Sequence, residues 1–390
     1  MAINLGDSEH EATWRKEVRS FIEKEAPAAF TQRGGDSEQA ENSLFGRMGA
    51  VKEWREKVAA RGWIAPSWPS RYGGADMSVL DQFVMNEEFA EAGVPSNVGG
   101  FGVMMIGPTI IEHGNEQQKE QYLGSILRGE SIWCQGYSEP GAGSDLASLQ
   151  TRGVRDGDDY IINGQKIWTT GAQFADWMYM LVRTDPDAPK HRGITYLLVD
   201  MKSPGVTVRP LTTMANMQSF NEVFFEDVRV PVANRIGEEN RGWYVGTTTL
   251  DFERSSIGSA IGVRKALEGL MRQARKNNGE ADFNRNPKVK LEFVDRWVEC
   301  EVAKMLSYRV VSMQVRGLIP NYEASMCKLF SSELSQKISG LSMHLYGMYG
   351  NIRNRSSVGY VQAVSSTIAG GTSEVQRGII ATRGLGLPRG

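Results

Sequence analysis

The sequence is poor in the residues from which many sites are built. Of 390 residues, three are cysteine and four are histidine. Cys134, Cys300 and Cys327 are odd in number, far apart and never in Cys-x-x-Cys spacing, which argues against a disulfide framework and a structural zinc site. A reducing, cytoplasmic compartment is the expectation. His10, His113, His191 and His344 do not cluster with carboxylates at ligand spacing, so no metal is expected. Excess charge is also missing. Lys and Arg number 44 against 46 Asp and Glu, a net charge of -2, which gives no broad field to attract nucleic acid or anionic lipid. Residues 1–16 alternate polar and charged groups without an apolar h-region, and no stretch approaches bilayer-spanning length, so neither export nor insertion is expected. There is no internal repeat or low-complexity tract. Gly141-Ala142-Gly143 lacks the third glycine and the strand-to-helix setting of a dinucleotide fingerprint.

What is present is ordinary material for two or three packed domains: 41% hydrophobic and 23% charged residues. Apolar residues at three- and four-residue spacing predict helices over 11–25, 50–60 and 79–90, with a polar connection over 31–43. From about Ser131 the pattern changes to short β-rich runs. Asn163-Gly164, between Tyr160-Ile161-Ile162 and a run from Gln165 to Thr170, predicts a tight hairpin turn. Further strands are predicted over 177–183, 194–201, 206–210 and 222–228. After Gly237 helical spacing returns, over 244–274, 289–316, 322–345 and 375–382. Helices segregated from strands argue for an α+β multi-domain chain rather than a parallel βαβ sheet. Strand alternation puts Lys166, Trp168 and Thr170 on one face, where a flat aromatic beside a hydroxyl suits a flat, hydrogen-bonding cofactor. Gly370, Gly371 and Thr372 precede a helix whose Ser373 and Gln376 fit a capping box, gathering free N–H groups at a glycine-rich start.

Four segments carry a resemblance. Trp133-Cys134-Gln135-Gly136-Tyr137-Ser138-Glu139-Pro140-Gly141-Ala142-Gly143-Ser144-Asp145 and Gly370-Gly371-Thr372-Ser373-Glu374-Val375-Gln376-Arg377 resemble the two ordered signatures of the acyl-CoA dehydrogenase family. The segments from Ile162 to Thr169 and from Gly237 to Gly242 are similar to its landmarks, so the likeness covers essentially the whole chain. It implies a helical amino-terminal domain (1–130), a middle β-barrel (131–236) and a carboxy-terminal four-helix bundle (237–390). It further implies noncovalent FAD, an acyl-CoA substrate desaturated to the trans-2-enoyl-CoA, electron-transfer flavoprotein as acceptor, and a homotetramer. By resemblance, Gln135, Gly136, Tyr137 and Ser138 run beside the flavin, Trp168 and Thr170 cover one face of it, and Thr372 and Glu374 contact FAD. Ser144 contacts the CoA moiety, and Gly371 belongs to the substrate site. Arg275, His344 and Gly347 are the nearest counterparts of contacts made to a neighbouring subunit's FAD. The Arg275 segment lacks the family's Phe, and the segment from His344 to Gly350 replaces the usual Gln and one Gly.

The resemblance also locates the base. Many family members place a Glu just before the Gly-Thr of the second signature, where this chain has Gly370. In the isovaleryl and long-chain branches the Glu lies on a bundle helix instead, and Leu250-Asp251-Phe252-Glu253-Arg254 resembles that segment. Glu253 is thus the expected base, with Arg254 organising the site and contacting substrate, and the Gly370 N–H bonding the thioester carbonyl. Leu250, Ile257 and Ile261 share its helical stripe, so the spacing aims the Glu253 carboxylate into the bundle, where burial would raise its pKa. Two alternatives stand beside this reading: a non-catalytic or half-site subunit of a heterotetramer, and an oxidase or monooxygenase on the same fold.

Overall fold

A computed structural model describes residues 6–31, 39–252, 257–276 and 286–388. Its helices are α1 (Glu9–Glu25), α2 (Ala28–Thr31), α3 (Gln39–Ala60), α4 (Val79–Ala92), α5 (Gly107–His113), α6 (Glu116–Arg128), α7 (Gly242–Phe252), α8 (Ile257–Lys276), α9 (Pro287–Val315), α10 (Tyr322–Tyr346), α11 (Arg355–Ser366) and α12 (Ser373–Ile379). Its strands are β1 (Trp133–Gly136), β2 (Arg152–Asp156), β3 (Asp159–Lys166), β4 (Trp177–Arg183), β5 (Ile194–Asp200), β6 (Val206–Leu211), β7 (Phe220–Pro231) and β8 (Arg235–Ile236). They fall into two compact units: residues 1–57, 77–96 and 255–390 form a helical one, and residues 58–76 and 97–254 hold the sheet.

In the sheet unit eight strands make one sheet in the order β6-β7-β3-β2-β4-β5-β8, with β1 paired to β4. Strands β4 and β5 are buried along nearly their whole length because both faces are covered. One face packs Met178, Met180, Leu197, Val199 and Phe225 into the core. Helix α7 packs on β5, and Thr249 on it bonds both Thr109 (2.9 Å) and the Tyr196 hydroxyl (3.2 Å), so the buried hydroxyls satisfy one another.

The hairpin expected at Asn163-Gly164 is a correction. β3 runs straight through those residues, and the register with β7 slips there, a β-bulge. Gly164 has φ +148°, and a Cβ on it would lie 2.7 Å from the Thr151 Cα, so glycine serves close backbone approach rather than a turn. The hairpin is instead at Gly157 and Asp158, between Asp156 and its partner Asp159. Both dipeptides carry the same local signal, and only pairing distinguishes them.

In the helical unit α8, α9 and α10 pack around Leu267, Phe293, Cys300, Ala303, Leu334 and Ile338, and α11 packs on α10. The helix predicted over 244–274 is described as α7 and α8; residues 253–256 between them lie outside the described residues. Helix α11 has no counterpart among the predicted helices: its serines hide the apolar period, and an Asn354 capping box and packing on α10 sustain it.

Helix α1 is tied down by charge. Arg15 reaches Glu87 (2.8 Å) and Glu88 (2.6 Å), Arg19 reaches Glu88 (2.6 Å), and Lys304 and Tyr308 close on Glu87 from α9. Burial alone would raise the Glu87 pKa, but hydrogen bonds from Arg15 and Tyr308 and the charge of Lys304 hold it below the ordinary 4.5. A depressed carboxylate contributes stability that is fully present above its unfolded pKa and is lost as pH falls through the folded one. Amide protection of α1, corrected for intrinsic exchange, is therefore expected to fall before that of β4 and β5 as the pH drops below 4.5. Hydrogen exchange showing α1 and the sheet losing protection together would contradict this.

Candidate active site

The first signature leaves β1 and turns back along the sheet. Gly136 lies over β4: a Cβ there would sit 2.3 Å from the Met178 sulfur and 2.9 Å from Met180 Cβ. Tyr137 turns inward, its ring edge-on to Tyr179 and Tyr196 and its hydroxyl donating to the Gly246 carbonyl at 3.4 Å, so its side chain is committed to the core. The Ser138 carbonyl accepts from Ile167 N–H at 2.9 Å. Among the described residues the Ser138 N–H and hydroxyl have no protein partner. Gln135 Nε2 is likewise enclosed without a hydrogen-bond partner. Ser144 is exposed on the following turn, beside the Asp145–Lys190 ion pair.

Lys166, Trp168 and Thr170 do not share a face. β3 ends at Lys166, which is fully buried, whereas Trp168 is 59% exposed and Thr170 is exposed. The reason is local: Trp168 has φ 60°, a left-handed conformation that breaks the alternation. Such a conformation costs energy for a bulky residue, and here the surroundings enforce it. Thr169 next to it is buried and paired through its main chain to Asn221 on both sides, N–H to carbonyl at 3.0 Å and carbonyl to Asn221 Nδ2 at 2.9 Å. The Trp168 ring stands edge-on to Phe220.

Beneath these residues lies a pair that the sequence reading missed. Lys166 Nζ donates to Glu139 Oε1 at 2.7 Å, and Glu139 also accepts from the Gln150 N–H (2.6 Å) and Thr151 N–H (3.0 Å). Burial pushes the Lys166 ammonium down to about 8 against the opposing charge of Glu139. Burial would raise Glu139, but Lys166 and the two N–H donors hold it below the carboxylate range. A lysine at a core-facing position of a strand was the available signal.

In the helical unit Gly370 (φ +66°) and Gly371 (φ +92°) lead into α12. The expected Ser373–Gln376 capping box is replaced: Thr372 is the N-cap, accepting from Val375 N–H at 3.2 Å. Gln376 instead reaches back to the Gly370 carbonyl at 3.0 Å, and Lys328 donates to the Gly371 carbonyl at 2.5 Å. Gly371 needs its missing side chain, since a Cβ would stand 2.5 Å from Gln376 Nε2. Glu374 is exposed, and hydrogen bonds with its own main chain and Thr372 hold its carboxyl below the ordinary value. Arg275 ends α8, and His344 and Gly347 end α10. Gln273 and Tyr346 hydrogen-bond across these two ends, bringing the three residues into one region. Glu253 and Arg254 lie outside the described residues.

The chain as a whole is similar to known proteins. The chain matches family models described as acyl-CoA dehydrogenase N-terminal domain over residues 8–130, middle domain over 134–228 and C-terminal domain over 240–385. It is an oxidoreductase of the acyl-CoA dehydrogenase family. Among curated relatives, acyl-CoA dehydrogenase FadE26 of Mycobacterium tuberculosis is 36% identical, covering 96% of each chain. Two solved structures are similar over 100% of both chains, each with a TM-score of 0.82. One is the Tcur3481–Tcur3483 steroid ACAD, at 31% identity. The other is the ChsE4–ChsE5 complex from Mycobacterium tuberculosis, at 34% identity. Membership implies a flavin cofactor, and the residues present fit one. An exposed, strained Trp168 offers a flat surface, and unpartnered donors on Ser138 and Gln135 offer hydrogen bonds.

Proposed function

We propose that this chain is an FAD-dependent dehydrogenase that desaturates an acyl-CoA thioester between its α and β carbons. The reading is carried by the combination of an exposed, left-handed Trp168 with unpartnered Ser138 donors in the segment that resembles the family's flavin signature. Bound FAD would supply the acceptor for the β hydrogen. The chain would do the rest. By resemblance, Ser138, Gln135, Trp168, Thr170, Thr372 and Glu374 orient the cofactor. Ser144 holds the CoA moiety. Glu253 takes the α proton, Arg254 orders the site, and the Gly370 N–H holds the thioester carbonyl as negative charge develops on it. Electrons would pass to an electron-transfer flavoprotein. The domain boundaries we propose lie near residues 130 and 236.

The substrate we propose is a bulky, ring-bearing acyl group, because one of the similar solved structures is that of a steroid ACAD. For assembly, α9 exposes Leu291, Val294, Val298, Val302 and Met305 at three- and four-residue spacing, an apolar stripe that supports oligomerisation. A homotetramer is the simplest form. A second reading has one specific observation in its favour. The Arg275 and His344–Gly350 segments depart from the family pattern at the cross-subunit FAD contacts, and two similar structures bear paired names, Tcur3481–Tcur3483 and ChsE4–ChsE5. A homologous partner subunit would then complete the site.

The decisive experiment purifies the chain alone and measures flavin content, mass by light scattering, and turnover of straight, branched and ring-bearing acyl-CoAs with an artificial electron acceptor. A yellow tetramer that prefers ring-bearing thioesters is expected. Rapid reoxidation by air with no thioester activity would refute the dehydrogenase reading, and an active monomer would refute the assembly.

A further inference from the structure

The Lys166–Glu139 pair has no role in the reading above, yet it sits directly behind the signature segment. Lys166 Nζ donates to the Tyr137 carbonyl at 3.2 Å as well as to Glu139. A carbonyl and the next residue's N–H belong to one planar, conjugated peptide group. A cation held on the Tyr137 oxygen therefore draws electron density from the Ser138 N–H and makes it a stronger donor, an effect that low dielectric enlarges. The ammonium is held in place, because Glu139 is itself anchored by the Gln150 and Thr151 N–H groups. The next peptide group is fixed too, with the Ser138 carbonyl bonded to Ile167 N–H at 2.9 Å. Three consecutive residues, 137 to 139, are thus latched to Lys166 and Ile167, immediately before the exposed Trp168. The Ser138 N–H and hydroxyl are left pointing to no protein partner among the described residues.

We infer that Lys166, anchored by Glu139, is a positioning residue that polarises the Tyr137–Ser138 peptide group and presents its N–H to an electron-rich acceptor atom of the flavin. This rests on the flavin-site reading above. Lys166 touches no ligand; it acts through one peptide group, which distinguishes it from a residue that merely fills the core.

The test compares wild type, Lys166→Arg, Glu139→Gln and the double variant Lys166→Met/Glu139→Gln. Removing both charges leaves no unpaired buried ion, so the double variant is the one expected to fold. Each protein is stripped of flavin and titrated with FAD. Protein fluorescence quenching gives the affinity, and the visible absorption spectrum reports the polarity around the ring. The double variant is expected to bind about tenfold more weakly, the effect of weakening one charge-assisted hydrogen bond, with a shifted visible band. Lys166→Arg keeps a cation and should stay nearer wild type; Glu139→Gln removes the charge that sustains the buried ammonium and its anchor together, and should also fall below wild type. Wild-type affinity and spectrum in the double variant would overturn the inference while leaving the flavin site intact. So would an Arg variant as impaired as the double one, or, should the double variant not fold, a Glu139→Gln protein indistinguishable from wild type. A wild-type chain that takes up no FAD, alone or with a partner subunit, would overturn both readings.

Discussion

Glu253→Gln is expected to retain FAD and bind acyl-CoA while losing anaerobic flavin reduction by about 10²–10⁴-fold, the usual range for removing a general base. The expectation starts from Gly370, which cannot take a proton where many family members have a Glu. The chemistry needs a carboxylate elsewhere, and Glu253 occupies the position that resembles the alternative base. On α8, Ile257 and Ile261, four and eight residues further along the sequence, are buried with Phe83 and Val311. Asp251→Asn, two residues away in the sequence, should reduce the rate far less. Stopped-flow absorbance of both variants with the best substrate decides the matter. Near-normal reduction in Glu253→Gln would remove the assignment.

A second large effect is expected from Lys166→Met alone. The substitution leaves Glu139 with its two N–H donors but no cation, in a site where the ammonium was fully buried. An uncompensated buried charge of this kind costs about 3–5 kcal/mol, whereas neutralising both partners costs much less. Denaturant unfolding of the chain should therefore show the single variant markedly destabilised, and adding Glu139→Gln should recover most of the loss. If the single variant unfolded at the wild-type midpoint, the pair would be structurally idle, and the polarising role inferred for Lys166 would lose its geometric footing.

Much of this protein is legible from spacing. The run predicted as a strand over 177–183 is the full observed span of β4, because a buried strand bounded by turn residues has few alternatives. The long helices α9 and α10 are legible for a related reason: their apolar period is sustained. Local signals fail where two conformations share one signature. Asn163-Gly164 reads as a turn, but the approach of Thr151 from another part of the chain makes it a bulge. Ser373 and Gln376 read as a capping box, but Thr372 takes the cap and Gln376 turns back to Gly370, because the left-handed glycines shift the helix start by one residue.

The site divides in the same way. The sequence by itself determined the family and supplied the candidates for the flavin segments and the base, because these readings depend on residue type at fixed separations along the chain. Tertiary structure alone decided which groups are available. Tyr137 carries a hydroxyl, yet its ring packs on Tyr179 and Tyr196 and the hydroxyl turns to the Gly246 carbonyl. Trp168 was expected on one face with Lys166, yet a left-handed φ turns the indole out while the ammonium goes in to Glu139, 27 residues earlier. Alternation along a strand is a property of its backbone angles, and one residue outside the β region cancels it for everything that follows. Pairing of Lys166 with Glu139 is a property of burial, which is set by what the rest of the chain packs over them.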